Sequence, residues 1–420
     1  MNLGVIGCNT MGLMHCQMAE NAGLKVVACG DISRDNARKA ARKFGAEAVG
    51  DCVALCNRDD VDVVAVCTPT PTHTEYIQAA AGAGKHVFCE KPLGRTLETI
   101  DEALAAVERA GVKLYVGHVV RFFQEFEAMK ARIDAGKIGN VGFVKTYRGG
   151  IFPGGKLGWF SDWNMSGGVT LDTIVHDMDW LRYVFGDPER IFAQNLKRVF
   201  SERIDYALVT MRMKCGTICN IVGTWAHPSG FRVKVDICGE RGMVTFDSSE
   251  APVSAQLRLG AGSGPSTIVP ASPVLVSPYQ LEWEDFAGWL AGTRKPRVTP
   301  EDGRWAVAMV LAGTKTATAS SLWDYEHTGD PLPEVGWLNI ILDGRGIPRA
   351  LVETAAVDVI PFDEVPESHA FAEGEGDRSL SHWRKVHERY WRDHSEAPKG
   401  FEPSMPVVCE QLRLLYVSMR

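Results

Sequence analysis

No stretch of this sequence approaches the roughly 18 to 20 consecutive apolar residues that a membrane span requires. Because "MNLGVIG" reads as running straight into a first strand, no signal peptide is expected. Cysteine is present eleven times but lacks pattern: there is no CxxC pair and no Cys/His cluster, so a structural metal site is not expected and the thiols should be reduced. Excess charge is also missing from most of the chain. Residues 306–420 hold 11 Lys+Arg against 18 Asp+Glu, which accounts for the whole net charge of -7, and the first 305 balance at 34 against 34. What remains is an ordinary composition, 45% hydrophobic and 23% charged over 420 residues. A soluble, cytoplasmic protein of two or three domains is expected, with no membrane partner.

The opening "LGVIGCNTMGLMHCQMAE" reads as strand, tight turn and helix. Gly7, Asn9 and Gly12 occupy the three positions of GxGxxG, with Thr10 and Met11 opening the helix. In that motif the glycines allow a tight turn, close approach of a pyrophosphate, and close packing of helix on strand, and the helix N-terminal amides face the phosphates. The middle glycine is here Asn, which tolerates left-handed backbone better than most residues. A second strand, "LKVVACGD", ends on Asp31, about 20 residues further on, where a carboxylate can bond the ribose hydroxyls of a dinucleotide. Its charge would repel the extra phosphate of NADP, so NAD is favoured, and the nearby Ser33, Arg34 and Arg38 moderate that preference. The apolar run 61–67 suits a central parallel strand buried on both faces.

Beyond residue 120 the βαβ rhythm stops. "YALVTMRMKCGTICNIVGTW" and "FRVKVDICGERGMVTFD" alternate with period two, which predicts an antiparallel sheet with one covered face. A Pro/Gly/Ser-rich stretch near 251–278 reads as a loop or sheet edge. In "SGGVTLDTIVHDMDWLRYVFG", helical spacing of about 100° per residue puts Asp172, His176, Asp179 and Tyr183 on one stripe. Ile174, Met178, Leu181 and Phe185 fall opposite. Such a helix is either a surface helix or one wall of a polar cleft.

The pattern TP...H...AGKHV..EKP, followed by GG...D...H..D, resembles the Gfo/Idh/MocA family of nicotinamide-dependent oxidoreductases over residues 1 to about 312. The resemblance implies a Rossmann domain (1–120) and an α+β domain (121–312) whose open antiparallel sheet builds a homo-oligomer interface. It implies that Thr68, Pro69, His73 and Glu90 line the cofactor and that Lys91 lies beside nicotinamide and substrate, with a cis bond at Pro92. On a secondary alcohol, His176 would be the base, Lys91 the cation supporting charge on oxygen, and Asp172 the orienting group. A sugar, cyclitol or other polyol is the expected substrate, with Arg121, Arg148, Trp159, Asp162 and Trp163 as candidate contacts.

"VTPEDGRWAVAMVLAG" is a well-marked helix: Thr299 can cap it, Pro300 fits its first turn, Glu301 and Asp302 suit its positive end, and Gly313 its close. The chain beyond it resembles an ASCH domain, a small PUA-like β-barrel, in "LAGTKTATASSLWDYEHTGDPLPEVG", "ETAAVDVIPFDEVPESHAFAEGEGDRSLSHWRKVHERYW" and "VVCEQLRLLY". That domain, 306–420, would share the helix 300–312. Some relatives are amidohydrolases acting on acetylcytidine, and the resemblance carries their lysine, threonine and glutamate onto Lys315, Thr318 and Glu373. Catalysis, ligand binding and a structural loop all stay open there. An acidic domain is poorly equipped to neutralise phosphates, so a nucleoside or short RNA element is expected rather than a long polymer. The competing expectation is a non-catalytic nucleotide-binding scaffold carrying a working ASCH module.

Overall fold

The structure, a computed structural model, describes residues 1–153, 158–196, 206–249, 276–312, 317–329, 331–342, 348–373, 379–395 and 397–417. The chain forms two compact units, the first built mainly on residues 1–310 and the second mainly on 311–420. Among the described residues no helix is long and apolar enough to cross a membrane.

Six parallel strands open the first unit: Asn2–Ile6 (β1), Lys25–Gly30 (β2), Glu47–Val49 (β3), Val63–Val66 (β4), His86–Glu90 (β5) and Leu114–Gly117 (β6), in the order β3-β2-β1-β4-β5-β6. All four residues of β4 are buried, as helices on both faces of a parallel sheet require. The order reverses between β1 and β4, and a crevice opens at the carboxyl ends of strands at such a switch point. Gly7, Thr68 and Lys91 follow β1, β4 and β5 at that edge.

The turn after β1 is set by two close approaches. Gly7 has φ +90°, and a Cβ there would lie 2.5 Å from the Cys67 carbonyl oxygen. A Cβ on Gly12 would lie 1.8 Å from the Gly7 carbonyl oxygen, so the helix Thr10–Asn21 can sit this close to β1 only with glycine at 12.

The second sheet comprises Val141–Ile151 (β7), Pro188–Leu196 (β8), Tyr206–Met213 (β9), Ile218–Thr224 (β10), Ala226–Gly239 (β11) and Gly242–Asp247 (β12), in the order β12-β11-β7-β10-β9-β8. It is mixed rather than wholly antiparallel: β7 pairs parallel with β10 and antiparallel with β11. Parallel neighbours need a crossover instead of a hairpin, and the helices between residues 159 and 185 lie in that connection. Val144, Met211, Ile221 and Val235 are buried on one face, while Leu208, Ile218 and Met243 are exposed. Residues 250–275, most of the Pro/Gly/Ser-rich stretch, lie outside the described residues.

The helix Pro300–Ala312 begins with the expected cap, made reciprocally: the Asp302 N–H donates to the Thr299 hydroxyl (3.2 Å) and the Thr299 N–H donates to the Asp302 carboxylate (3.0 Å). It is seated on the first unit. Arg304 pairs with Asp101 (2.5 Å), Asp302 with Arg121 and Arg182 (3.1 and 2.7 Å), and Gly303 meets Val116 and Leu93.

In the second unit, Ala317–Ser321 (β13), Leu338–Leu342 (β14), Pro348–Pro361 (β15) and Pro406–Val417 (β16) form an antiparallel sheet in the order β13-β16-β15-β14. Register shifts near Leu351 and Thr354 mark bulges, which bend a long strand as a barrel-like wall requires. Phe362, Val365, Ala370, Trp383, Trp391, Met405, Val407 and Cys409 make its core.

Gly12→Ala should destabilise the first unit by at least about 2 kcal/mol, because the obstructing atom is backbone and cannot rotate away. Urea unfolding followed by tryptophan fluorescence measures this, and a near-neutral result would contradict the described strand–helix approach.

Candidate active site

Asn9 sits at φ -86°, ψ -157°, an extended conformation open to any residue, so the missing middle glycine leaves the turn undistorted. Its exposed side chain makes no capping bond to the helix. The first amides of Thr10–Asn21 therefore meet no side-chain cap at the helix's positive end, an arrangement suited to a diphosphate. Thr10 is exposed and Met11 half-buried beside them. Asp31 is more than a ribose candidate: its carboxylate accepts the Cys8 and Ser33 N–H groups, both at 2.7 Å, and so ties the turn to the end of β2. Ionised carboxylate oxygens each offer a further lone pair. Ser33 then starts the helix Arg34–Phe44, and Arg34 is exposed. These residues fit a dinucleotide.

At the next strand end, the Thr72 hydroxyl donates to the Pro69 carbonyl (2.9 Å) and bonds Thr68 Oγ1 (2.8 Å). His73 is buried, with one ring nitrogen 2.9 Å from the Thr68 carbonyl and the other 2.9 Å from the Pro92 carbonyl. Its place is thus between the two strand-end loops, bracing them, rather than open to the crevice. Burial pushes its imidazole below the ordinary pKa. The Lys91–Pro92 bond is cis, as the resemblance implies. Lys91 Nζ donates to the Asp172 carbonyl (2.8 Å) and carboxylate (3.3 Å).

The segment around Asp172 departs from the single striped helix. It is two helices, Gly168–Asp172 and Val175–Phe185, broken at Thr173 and Ile174. Gly223 of β10 lets Ile174 dock at the break: a Cβ there would lie 2.4 Å from Ile174 Cγ2. Asp172 closes the first helix and His176 opens the second. Asp179 and Tyr183 do not share an open polar face with them. Asp179 is buried beneath Arg121, which also lies 4.6 Å from the Tyr183 ring centre.

His176 is kept neutral. Burial, the neighbouring charges of Lys91 and Arg148, and His118 hold its pKa well below 6.5. Its Nδ1 is buried without a hydrogen-bond partner among the described residues, as are both ring nitrogens of His118. A buried imidazole nitrogen left unmatched signals a site completed by something further. Lys91 therefore bonds Asp172, and its charge acts on the His176 imidazole.

The proposed substrate contacts divide. Arg121 is not open to a ligand: it is 3% exposed, and its guanidinium is committed to Asp179 (2.6 and 2.8 Å), Asp302 (3.1 Å) and the Arg297 carbonyl (2.7 Å). Arg148 is likewise paired with Asp177 (2.6 Å). Asp177 and Asp179, in the first turns of the helix Val175–Phe185, gave no sign in the sequence that they would turn inward; only the arginines on other elements decide it. Trp159 stacks on Phe160, centroids 4.0 Å apart, and Asp162 is exposed. The Trp163 side chain lies outside the described residues, although its backbone starts a short helix. Sequence reasoning missed Trp225, whose indole donates to Thr173 Oγ1 (2.8 Å) next to Asp172, and His15, a lone imidazole in an otherwise small and apolar helix face.

In the second unit Lys315 lies outside the described residues. Thr318 stands across from Glu410 in the β13–β16 register, and Glu373 lies on the helix Glu367–Glu373, which packs against β13. Glu373 is buried between His369 (3.1 Å) and His387 (3.3 Å). Burial alone would raise its pKa, but hydrogen bonds from both histidines outweigh it and hold the carboxyl near 2.

Three family models match the chain. "Oxidoreductase family, NAD-binding Rossmann fold" covers residues 1–118, "GFO/IDH/MocA C-terminal domain" covers 126–245, and "ASCH domain" covers 301–416. The chain is 29% identical to a myo-inositol 2-dehydrogenase of Thermotoga maritima over 327 residues, 75% of this chain and 96% of that one. It is 31% identical to an uncharacterised oxidoreductase, YrbE, of Bacillus subtilis over 255 residues, 59% and 73% of the two chains. A solved structure of a putative myo-inositol dehydrogenase from Sinorhizobium meliloti superposes with TM-score 0.64 at 27% identity, over 74% of this chain and 94% of that one.

Arg121→Met should cost about 3 to 5 kcal/mol, because it strands the buried Asp179 carboxylate. Urea unfolding of the full chain checks the figure, and a cost below 1 kcal/mol, marked here as roughly the value of an exposed pair, would contradict the enclosed geometry.

Proposed function

The chain belongs to the Gfo/Idh/MocA oxidoreductase family and carries an ASCH domain, and from that premise we propose that it oxidises a secondary alcohol of a cyclitol of the inositol class, with NAD as acceptor. That it is a dehydrogenase acting on CH–OH groups follows from the family and its inositol 2-dehydrogenase relatives. The observation that carries the finer reading is the Lys91 ammonium held on Asp172 beside a neutral His176.

The amides at the start of Thr10–Asn21 would hold the diphosphate, Asp31 the adenosine ribose, and Thr68 and Pro69 the nicotinamide end. NAD bound there would supply the acceptor for the hydride of the carbinol carbon. The chain does the rest. His176 accepts the hydroxyl proton, a role that favours the unprotonated imidazole its surroundings enforce. Lys91 supports the charge that grows on oxygen, and Asp172 fixes the lysine so that little reorganisation is needed. The Asp31 carboxylate disfavours a 2′-phosphate, which supports NAD over NADP.

The exposed Leu208, Ile218 and Met243 on the outer face of the second sheet support a homo-oligomer formed through that face. At the ASCH domain, the ionised Glu373 beside the Thr318 strand supports a small nucleoside-like ligand, since the acidic charge of residues 306–420, 11 Lys+Arg against 18 Asp+Glu, argues against a long nucleic acid.

NADH formation across a panel of inositol isomers and sugars tests the substrate class, with calorimetric NAD binding beside it. Turnover on a cyclitol is expected. Binding of NAD without turnover on any polyol would defeat the substrate assignment, and failure to bind NAD would shift the working part to the ASCH domain. Lys91→Ala should lower kcat by on the order of 100- to 1,000-fold with NAD affinity nearly intact.

The pH profile tests the base. A depressed imidazole stays unprotonated until the pH falls below its shifted pKa, so the acid limb of kcat/KM should lie well below pH 6.5. An acid limb at or above that value would remove His176 from the role.

A further inference from the structure

We propose that His15 and Trp283 are positioning residues of the hydride-transfer site, acting through Glu90 on the turn that carries Lys91. The inference rests on the dehydrogenase reading of that site and extends it to two fully buried residues.

His15 is fully buried in the helix Thr10–Asn21. Its Nδ1 lies 3.0 Å from the indole Nε1 of Trp283, 268 residues away, and its Nε2 lies 2.6 Å from Glu90 Oε1. An indole N–H only donates, so Nδ1 must be the accepting nitrogen. The imidazole proton is therefore on Nε2, where it points at Glu90. The other Glu90 oxygen accepts the backbone N–H of Lys91 at 3.0 Å. Indole, imidazole and carboxylate form one directed chain whose polarity is set at its far end, and the Lys91 amide donates to the same carboxylate from the other side. Burial would push the Glu90 carboxyl up, but the His15 bond and the Lys91 charge and amide hold it below its usual range.

Packing alone does not explain this arrangement. Trp283 already stacks on Phe88, centroids 4.3 Å apart and 17° from parallel, and an apolar residue at 15 would suit that surrounding at least as well as a buried polar string. The string ends on the amide of the residue whose ammonium reaches Asp172. On the other flank, His73 packs between the Pro92 and Thr68 carbonyls, 2.9 Å from each, and its single N–H can donate to one of them. Lys91 is thus gripped on both sides through its main chain, which leaves Nζ a narrow range of positions. A displacement of about 1 Å at a reacting group can cost on the order of 100-fold in rate.

Trp283→Phe keeps the stacked ring and removes only the N–H. His15→Gln can still accept from the indole through Oε1 and donate to Glu90 through Nε2, whereas His15→Leu fills the space and does neither. The full chain is used throughout. With whichever polyol the wild type oxidises, Trp283→Phe and His15→Leu should lose about tenfold or more in kcat with little change in cofactor KM. The deuterium isotope effect on kcat, measured with substrate labelled at the carbinol carbon, should rise because hydride transfer has become the slow step. His15→Gln should recover most of the rate. Should His15→Leu fail to fold, Trp283→Phe carries the test.

Wild-type kcat and isotope effect in Trp283→Phe would overturn the proposal, as would failure of His15→Gln to exceed His15→Leu. Nitrogen-15 spectra of histidine-labelled chain provide a readout that needs no substrate: His15 should carry its proton on Nε2 in the wild type and lose that preference in Trp283→Phe. An Nδ1–H tautomer in the wild type overturns the directed chain whatever the enzyme oxidises. Absence of polyol turnover with the Nε2–H tautomer in place instead defeats the substrate reading.

Discussion

A lysine ammonium held at the end of a short helix ties together two distant parts of the first unit. Lys91 follows β5 in the first sheet, and Asp172 comes 81 residues later, so their contact joins two elements that no local preference would bring together. The ammonium meets both the Asp172 carbonyl, at the negative end of the helix Gly168–Asp172, and its carboxylate. Several features exist to place that aspartate: the break at Thr173 and Ile174, the indole bond from Trp225 to Thr173, and the absent side chain at Gly223 that admits Ile174.

Charge around that contact is sorted by depth. On the helix Val175–Phe185, Asp177 and Asp179 turn inward to Arg148 and Arg121, while the preceding His176 is half-buried. The two inner pairs are buried and nearly unexposed, where losing either partner leaves an uncompensated charge. They hold the helix in one orientation. Burial first, then the charges of Lys91 and Arg148, lowers the His176 pKa, so Arg148 both satisfies Asp177 and disfavours the imidazolium.

The helix Pro300–Ala312 ends the oxidoreductase part without loosening it. Its cap, its ion pairs to Asp101 and Arg121, and its close contact at Gly303 all belong to the first unit. The ASCH domain has its own core around Trp383 and Trp391 and its own ionised, histidine-flanked carboxylate at Glu373. Whatever the ASCH domain binds, its candidate site residues are separate in sequence from those of the oxidoreductase.

Features written in short-range pattern were legible from the residues alone. Turn glycines at 7 and 12, the buried strand 63–66, the cap at Thr299 and the period-two strands all express local sterics or periodicity, and the folded chain has them where the pattern lies. Helical spacing misled at Asp172–Tyr183, because a break at Thr173 depends on Ile174 meeting a glycine in β10, some fifty residues on. Arg121 resembled a ligand contact until Asp179, Asp302 and the Arg297 carbonyl enclosed it. The parallel pairing of β7 with β10 and the chain from Trp283 through His15 to Glu90 have the same origin. Sequence determined which groups were present and what each short segment would form. Tertiary structure decided which buried charge or imidazole found which partner, since a buried polar group takes its role from its neighbours in space, and those neighbours are distant in the chain.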